Sequence, residues 1–213
     1  MTRHVLVETN WIWDCIAPTY LRPDPTAKHL LEKARAGVVE IHIPAICRHE
    51  AVGSIRRRIG SPERKVDFLK AFNRSAHSEG LIKSKASADI TTYLDDFIRI
   101  VENQYRDLDA LAASVIESPG VNTFGMNDAM LMRAIQLRSD LASTPLATFD
   151  QAIVGAILIR ADELRTQGIL DLIFCSSDSD TSNVTKNGNQ CRAELDVIYR
   201  RAGLATQGHF YVP

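Results

Sequence analysis

Four segments of the chain carry carboxylates of the kind that hold a divalent metal ion in enzymes. They contain Glu8, Glu50, Asp150, and the pair Asp178 and Asp180. Carboxylate oxygens are the ligands that Mg²⁺ and Mn²⁺ prefer. Two such ions about 4 Å apart can position a water and stabilise the leaving oxygen when a phosphodiester is hydrolysed. If the fold gathers these acids, their mutual repulsion predicts a cation between them.

Two predicted strands would bring the first and last of these segments together. The apolar residues 4–7 and 170–175 predict strands, and Glu8 and Asp178 follow their carboxyl ends. In an open parallel sheet, functional residues gather at that edge. We therefore expect Glu8 and Asp178 to be neighbours.

Two predicted helices carry the remaining acids. The helical pattern at 150–167 has Asp150 in its first turn and leads into the strand before Asp178. A helix at 44–59, after a predicted strand, carries Glu50 about two turns from its start. Both acids could reach the same edge.

The order of elements indicates an α/β fold with a central parallel sheet. The chain begins β-α-α-β-α, an order that favours parallel strands and right-handed crossovers. Two long amphipathic stretches, 63–76 and 86–118, predict a helical arm over about 60–120. We expect a single domain over 1–213, with an edge strand at 209–212.

Composition indicates a globular protein of the cytoplasm. Of 213 residues, 45% are hydrophobic and 24% charged, which is typical of a chain with a real core. No apolar run approaches the roughly 20 residues that span a bilayer, so we expect no membrane association. The first residues do not resemble a signal peptide. The widely spaced cysteines predict buried free thiols: Cys15, Cys47, Cys175 and Cys191.

Positive charge is concentrated in one part of the chain. Residues 48–85 contain ten basic and four acidic side chains, a net charge of +6, whereas the rest carries −7 of the total of −1. A basic arm on an acidic body suits a polyanionic substrate, although a solvated helical face gives the same pattern. The candidate nucleic-acid-binding residues are Arg56, Arg57, Arg58, Arg64 and Lys65.

Each acid also has a structural alternative. Asp150 could cap its helix, and Glu50 could pair with an arginine on the surface. Asp178 and Asp180 could form turns in a Ser/Asp-rich loop. Glu8 is the hardest to explain structurally, because a charge directly after a buried strand is costly without a partner.

In these segments the chain resembles the PIN-domain family of metal-dependent nucleases. The family opens with a strand ending in Asp-x-Asn, which corresponds here to Glu8-Thr9-Asn10. Its second acid, in the helix after strand two, corresponds to Glu50. Its third begins the helix before a later strand, as Asp150 does, and its fourth follows that strand, as Asp178 does.

The resemblance implies a three-layer α/β/α sandwich, Mg²⁺ or Mn²⁺ as cofactor and cleavage of single-stranded RNA. Many members are toxins, so an antitoxin protein and a homodimer are candidate partners. In this reading Glu8, Asp150 and Asp178, with Glu50 and Asp180, hold the metal. Asn10, Ser176 and Ser177 would orient carboxylates or substrate.

The chain departs from the family pattern at its first acid and leaves its third acid ambiguous. Glu8 replaces an aspartate, which places the carboxylate one methylene farther out. Asp128 also opens a predicted helix and is an alternative third acid. A catalytically weak or inactive protein that binds nucleic acid or acts as a scaffold is therefore the alternative function.

A phosphatase interpretation is weaker. Residues 178–181 match the DxDxT motif of haloacid-dehalogenase-like enzymes, in which the first aspartate is a nucleophile. That motif normally stands near the amino terminus. Here only about 33 residues follow Asp180, too few for the remaining strands of that fold.

Overall fold

The computed structural model describes residues 2–60, 62–141, 146–184, 188–189 and 192–213. The strands within this part of the chain are β1 (Arg3–Val7), β2 (Val39–Pro44), β3 (Val121–Phe124), β4 (Leu172–Cys175) and β5 (Ala205–Gln207). They form one all-parallel sheet in the order β3-β2-β1-β4-β5. The predicted α/β fold with a central parallel sheet is confirmed.

Between and after the strands, the described residues form α-helices. They are α1 (Thr9–Ile16), α2 (Pro25–Arg35), α3 (Ile46–Ile59), α4 (Pro62–Ser78), α5 (Ser84–Ile116), α6 (Asp128–Asp140), α7 (Thr148–Thr166) and α8 (Ala193–Arg201). Helix α2 packs against β2 and β3, and α7 packs against β1 and β2. The arrangement is a three-layer α/β/α sandwich, compatible with a PIN-like fold.

The two edge strands differ from expectation. No strand was predicted at β3, a short and partly exposed strand that lacks an apolar run. The prediction of a strand at 209–212 is wrong, because β5 forms the edge at Ala205–Gln207 instead. Phe210 and Val212 are both buried and lie two positions apart, a spacing that is also typical of a strand. The backbone carbonyl of Val212 accepts a hydrogen bond from Lys33 Nζ.

One glycine allows α6 and α7 to pack closely. A Cβ at Gly155 of α7 would lie 2.8 Å from the backbone nitrogen of Ala134 in α6 and 2.9 Å from the carbonyl oxygen of Met130. Real side chains do not tolerate such distances, and the atoms concerned belong to the backbone. Gly155 therefore lets the two helices meet, and this contact helps to hold α7, which carries Asp150.

The chain divides into two compact units. Residues 1–52 and 111–213 form the first unit, which contains the sheet, and residues 53–110 form the second. Within the second unit, Lys70 forms an ion pair with Asp95, and Asn73 Nδ2 donates to the carbonyl of Ser87 at 2.9 Å. The expected single domain with a helical arm over 60–120 stays a prediction.

Two further sequence predictions concern membranes and thiols. Within the described ranges, no helix is both long and apolar enough to cross a bilayer. Cys15, Cys47 and Cys175 are buried free thiols, as predicted. Cys191 lies outside the residues that the structure describes.

Candidate metal-binding site

Glu8 lies at the junction of β1 and α1 and is only 2% exposed. It is the N-cap of α1, and its Oε2 accepts a hydrogen bond from the backbone nitrogen of Asn10 at 2.7 Å. Its Oε1 accepts from Ser176 Oγ at 3.2 Å. A charge that follows a buried strand thus has two donors inside the protein, which reduces the cost of its burial.

The pairing of β1 with β4 explains this contact. Val7 and Cys175 are register partners, so Glu8 and Ser176 leave neighbouring strands at the same level. Ser176 is fully buried, and its Oγ also accepts from the backbone nitrogen of Asp178 at 3.0 Å. The hydroxyl therefore links the first and last acidic segments.

The loop after β4 is held by further hydrogen bonds. Asp178 Oδ1 accepts from the backbone nitrogen of Asp180 at 2.9 Å, so Asp178 does form the turn considered as its structural alternative. The hydroxyl of Tyr199, in α8, donates to the carbonyl of Thr181 at 2.6 Å. Thr181 Oγ1 lies 2.8 Å from Ser176 Oγ. A buried polar network thus fixes the loop that presents Asp178 and Asp180.

Glu50 approaches the same edge from α3. Thr9 Oγ1 donates a hydrogen bond to Glu50 Oε2, which links α1 to α3. Burial raises the pKa of the Cys47 thiol, its hydrogen bond with Thr9 lowers it, and the negative charges of Glu8 and Glu50 raise it further. Cys47 thus lies within the electrostatic reach of both acids.

Burial and mutual repulsion alter the acidity of two carboxyl groups. Burial, opposed by the hydrogen bond from Asn10 and reinforced by the charges of Asp178 and Glu50, raises the pKa of Glu8 to about 8. Burial also raises the pKa of Asp150 to about 6, with contributions from Asp178, Glu50 and Asp180. Acids from four parts of the fold therefore lie close enough for their charges to affect the pKa of Glu8 and Asp150.

Asp128 has different surroundings from Asp150. It is exposed in the first turn of α6, and the N-cap of that helix is Asn127, whose Oδ1 accepts from the backbone nitrogen of Met130 at 2.9 Å. Asp150 is half-buried in the first turn of α7, where the charges of the other acids act on it. Asp150 therefore lies within the electrostatic reach of the other acids.

The remaining predicted site residues have varied positions. Asn10 and Ser177 are half-buried, the first in α1 and the second directly after Ser176. The arginines at 56–58 are exposed in the last turn of α3, within the second unit, and Arg56 pairs with Asp109 at 2.7 Å. The side chains of Arg64 and Lys65 lie outside the described part of the chain.

The donors of this acid site suit a hard divalent cation. Every candidate ligand atom is a carboxylate oxygen, the type that Mg²⁺ and Mn²⁺ select. Burial is the main cause of the raised pKa of Glu8 and of Asp150, and the charges of nearby carboxylates raise both further, whereas Arg192 lowers the pKa of Asp150. A cation would remove the repulsion among these carboxylates.

Comparisons with protein-family models, with curated proteins and with solved structures find no match to the chain. The function must therefore be inferred from the chemistry of the site itself.

A second group of ligand-type side chains was missed at the sequence level. His4, Glu40 and His42 form a cluster that could hold a metal ion. Burial, with the nearby Arg160 and His4, lowers the pKa of His42 to about 3, so its imidazole is neutral. The signal was present in Glu40-Ile41-His42, because alternate residues of a strand share one face.

Proposed function

We propose that this chain is a divalent-metal-dependent nuclease of the PIN-like type, which hydrolyses phosphodiester bonds in single-stranded RNA. The observation that carries the proposal is the mutual electrostatic influence of Glu8, Glu50, Asp150 and Asp178 at the carboxyl edge of the sheet. These acids come from four separate elements. A cation bound among them would offset the repulsion between their negative charges.

In this proposal, Glu8, Asp150 and Asp178 hold Mg²⁺ or Mn²⁺, with Glu50 and Asp180 beside them. When bound, such an ion supplies Lewis-acid stabilisation of phosphate charge and lowers the pKa of water. The hydrogen bonds from Ser176 Oγ and the Asn10 backbone fix the direction of the Glu8 carboxylate. Fixed ligands reduce the reorganisation needed when ion and substrate bind.

The burial of Glu8 is explained better by a role as a metal ligand than by a purely structural role. A carboxyl group with a pKa of about 8 is mostly protonated at neutral pH. A cation favours the ionised form and returns the pKa toward ordinary values. Glu8 would therefore change from a hydrogen-bonded acid to a carboxylate ligand when the ion binds.

The concentration of positive charge at the end of α3 supports a nucleic-acid substrate. Helix α3 carries Glu50 in the first unit and Arg56, Arg57 and Arg58 in the second. The three exposed arginines would contact phosphates, whose neutralisation releases counterions and makes binding sensitive to salt. The toxin role and the antitoxin partner implied by the resemblance stay predictions.

A non-catalytic role in binding nucleic acid is the second candidate. It is favoured by the hydrogen bonds of Glu8, since both carboxyl oxygens already accept a donor within the protein. A protonated Glu8 held in this way could serve only to join β1, α1 and β4. The protein would then bind nucleic acid through its basic residues without cleaving it.

The two candidates separate in one assay. End-labelled single-stranded RNA is incubated with the full chain in Mn²⁺, in Mg²⁺ and in EDTA, and both cleavage and binding are followed. The proposal expects cleavage that needs the cation and is lost in Asp150→Asn, with binding retained. Binding without cleavage in either metal would establish the second candidate. If the protein neither binds nor cleaves the RNA, both candidates are overturned.

A further inference from the structure

Two imidazoles and one carboxylate lie on the same face of neighbouring strands. The register of β1 and β2 pairs His4 with Glu40 and Leu6 with His42. Side chains alternate along a strand, so His4, Glu40 and His42 all project from one face. His4 Nδ1 lies 2.9 Å from His42 Nε2 and 3.7 Å from Glu40 Oε2.

The histidines occupy positions where a buried sheet normally holds apolar side chains. His4 is 9% exposed and His42 is 2% exposed. The contact between them leaves His42 Nδ1 buried without a hydrogen-bond partner among the described residues. That nitrogen does not face His4, so it is not a ligand in the proposed arrangement. The atoms that a cation would join are His4 Nδ1 and His42 Nε2, two buried ring nitrogens in direct contact.

The distances between the donor atoms fit a transition-metal ion. In a tetrahedral zinc site, with bonds of about 2.0–2.1 Å, ligand atoms are separated by about 3.3 Å. The two measured separations, 2.9 and 3.7 Å, lie on either side of that value. We propose that His4, Glu40 and His42 bind Zn²⁺, with the fourth position open to water or a small anion.

A cavity provides access to this position. It has a volume of about 290 Å³ and is lined by Thr2, His4, Glu40 and residues 168–171. Asn122 Nδ2 donates to Glu40 Oε2 at 3.2 Å and orients the carboxylate from the neighbouring β3. Such outer contacts commonly position metal ligands.

The zinc site is distinct from the acid site. His4 precedes Glu8 by four residues on β1, a separation of about 13 Å along an extended strand. The donors also differ, since imidazole nitrogen favours zinc and carboxylate oxygen alone favours magnesium. Burial, and then the positive charge of Arg160 in α7, lowers the pKa of His42. The Arg160 guanidinium itself pairs with Glu163 at 2.8 Å. Zinc would join β1 to β2 and stabilise the sheet.

The test measures zinc binding by the metal-stripped full chain, using titration calorimetry with Zn²⁺ and absorption spectroscopy with Co²⁺. One equivalent should bind at the histidine site and should be the one weakened in the variants below, and Co²⁺ bound there should give the spectrum of a tetrahedral nitrogen–oxygen site. We expect His42→Gln to weaken Zn²⁺ binding by about 100-fold and Glu40→Gln by at least about 10-fold. Glu40 is half-exposed, so its variant should fold even if His42→Gln does not.

A matched control is available on the surface. His29 Nδ1 lies 3.7 Å from Glu32 Oε2 in α2, the same separation as between His4 and Glu40, but both side chains are exposed. His29→Asn should leave Zn²⁺ binding unchanged. The proposal is overturned if no Zn²⁺ binds, if Glu40→Gln binds normally, or if the bound equivalent is lost in Asp150→Asn instead.

Discussion

Ser176 Oγ donates a hydrogen bond to Glu8 Oε1 at 3.2 Å, although the two residues are 168 positions apart in the sequence. The hydrogen bond joins the residues that directly follow β1 and β4. The same hydroxyl accepts from the backbone nitrogen of Asp178, so one side chain connects two of the proposed metal ligands.

Ser176→Ala should therefore destabilise the protein and weaken its metal binding. The change leaves Glu8 Oε1 and the backbone nitrogen of Asp178 without this partner, at a cost of about 1–3 kcal/mol. Urea unfolding measures the loss, and Mn²⁺ titration measures affinity. Ser177→Ala is the control, because Ser177 is adjacent but only half-buried. Equal effects of the two changes would contradict the bridging role of Ser176.

The contribution of Glu8 to the stability of the metal-free protein should fall as pH rises from about 4.5 toward 8. The pKa of Glu8 is about 8 in the folded protein and near 4.5 when unfolded, so the folded state binds more protons across this window. The contribution is fully present below the lower value and is lost as pH rises through the upper one. The difference corresponds to free energy on the order of 5 kcal/mol.

Glu8→Gln isolates this effect, because glutamine resembles the protonated acid. The free energy of unfolding is measured in EDTA across pH for the variant and the wild type. The variant should gain stability relative to the wild type as pH rises. Burial lowers the pKa of His42 from its ordinary 6.5 to about 3, so His42 contributes the opposite slope between these values. This contribution is common to both proteins and cancels in the comparison. A difference independent of pH would show that the pKa of Glu8 is not raised in the folded protein.

Asp150→Asn should abolish RNA cleavage, whereas Asp128→Asn should leave it unchanged. The two aspartates each lie in the first turn of a helix, so they are matched in local structure. The charges of Asp178, Glu50 and Asp180 act on Asp150. Loss of a metal ligand should reduce kcat/KM by about 100-fold or more. Steady-state cleavage in Mn²⁺ measures both variants. The reverse ranking would make Asp128 the third acid.

Replacing the arginines at 56–58 with glutamine should weaken binding of single-stranded RNA and reduce its dependence on salt. Each phosphate contact removed should lower the slope of log affinity against log salt by about 0.7. Fluorescence anisotropy over a range of salt concentrations measures the slope. Arg99→Gln is the control, since Arg99 is also exposed in the second unit and pairs with an aspartate. An unchanged slope would exclude this cluster from the nucleic-acid interface.

The central strands were predictable because their apolar runs are long enough to be buried on both sides. Residues 4–7 and 170–175 were recognised from the pattern alone and correspond to β1 and β4. β3 was missed because an edge strand needs little apolar surface and takes its stability from pairing with β2. Such pairing depends on residues distant in the sequence.

The acid site was partly predictable for the same reason. Glu8 and Asp178 follow strands that lie side by side, and topology alone places them together. The contact of Thr9 with Glu50 depends on the angle at which α3 leaves β2, which no local pattern specifies. The cluster of His4 with Glu40 and His42 depends on the register of β1 against β2, which becomes known only in the fold.

The most direct test of the proposed nuclease site is anomalous diffraction from crystals of the protein soaked in Mn²⁺. A peak bounded by the carboxylates of Glu8, Asp150 and Asp178 is the predicted result. The same soak of Asp150→Asn crystals should weaken or remove it. Wild-type crystals that diffract well and show no peak among these three side chains would contradict the account.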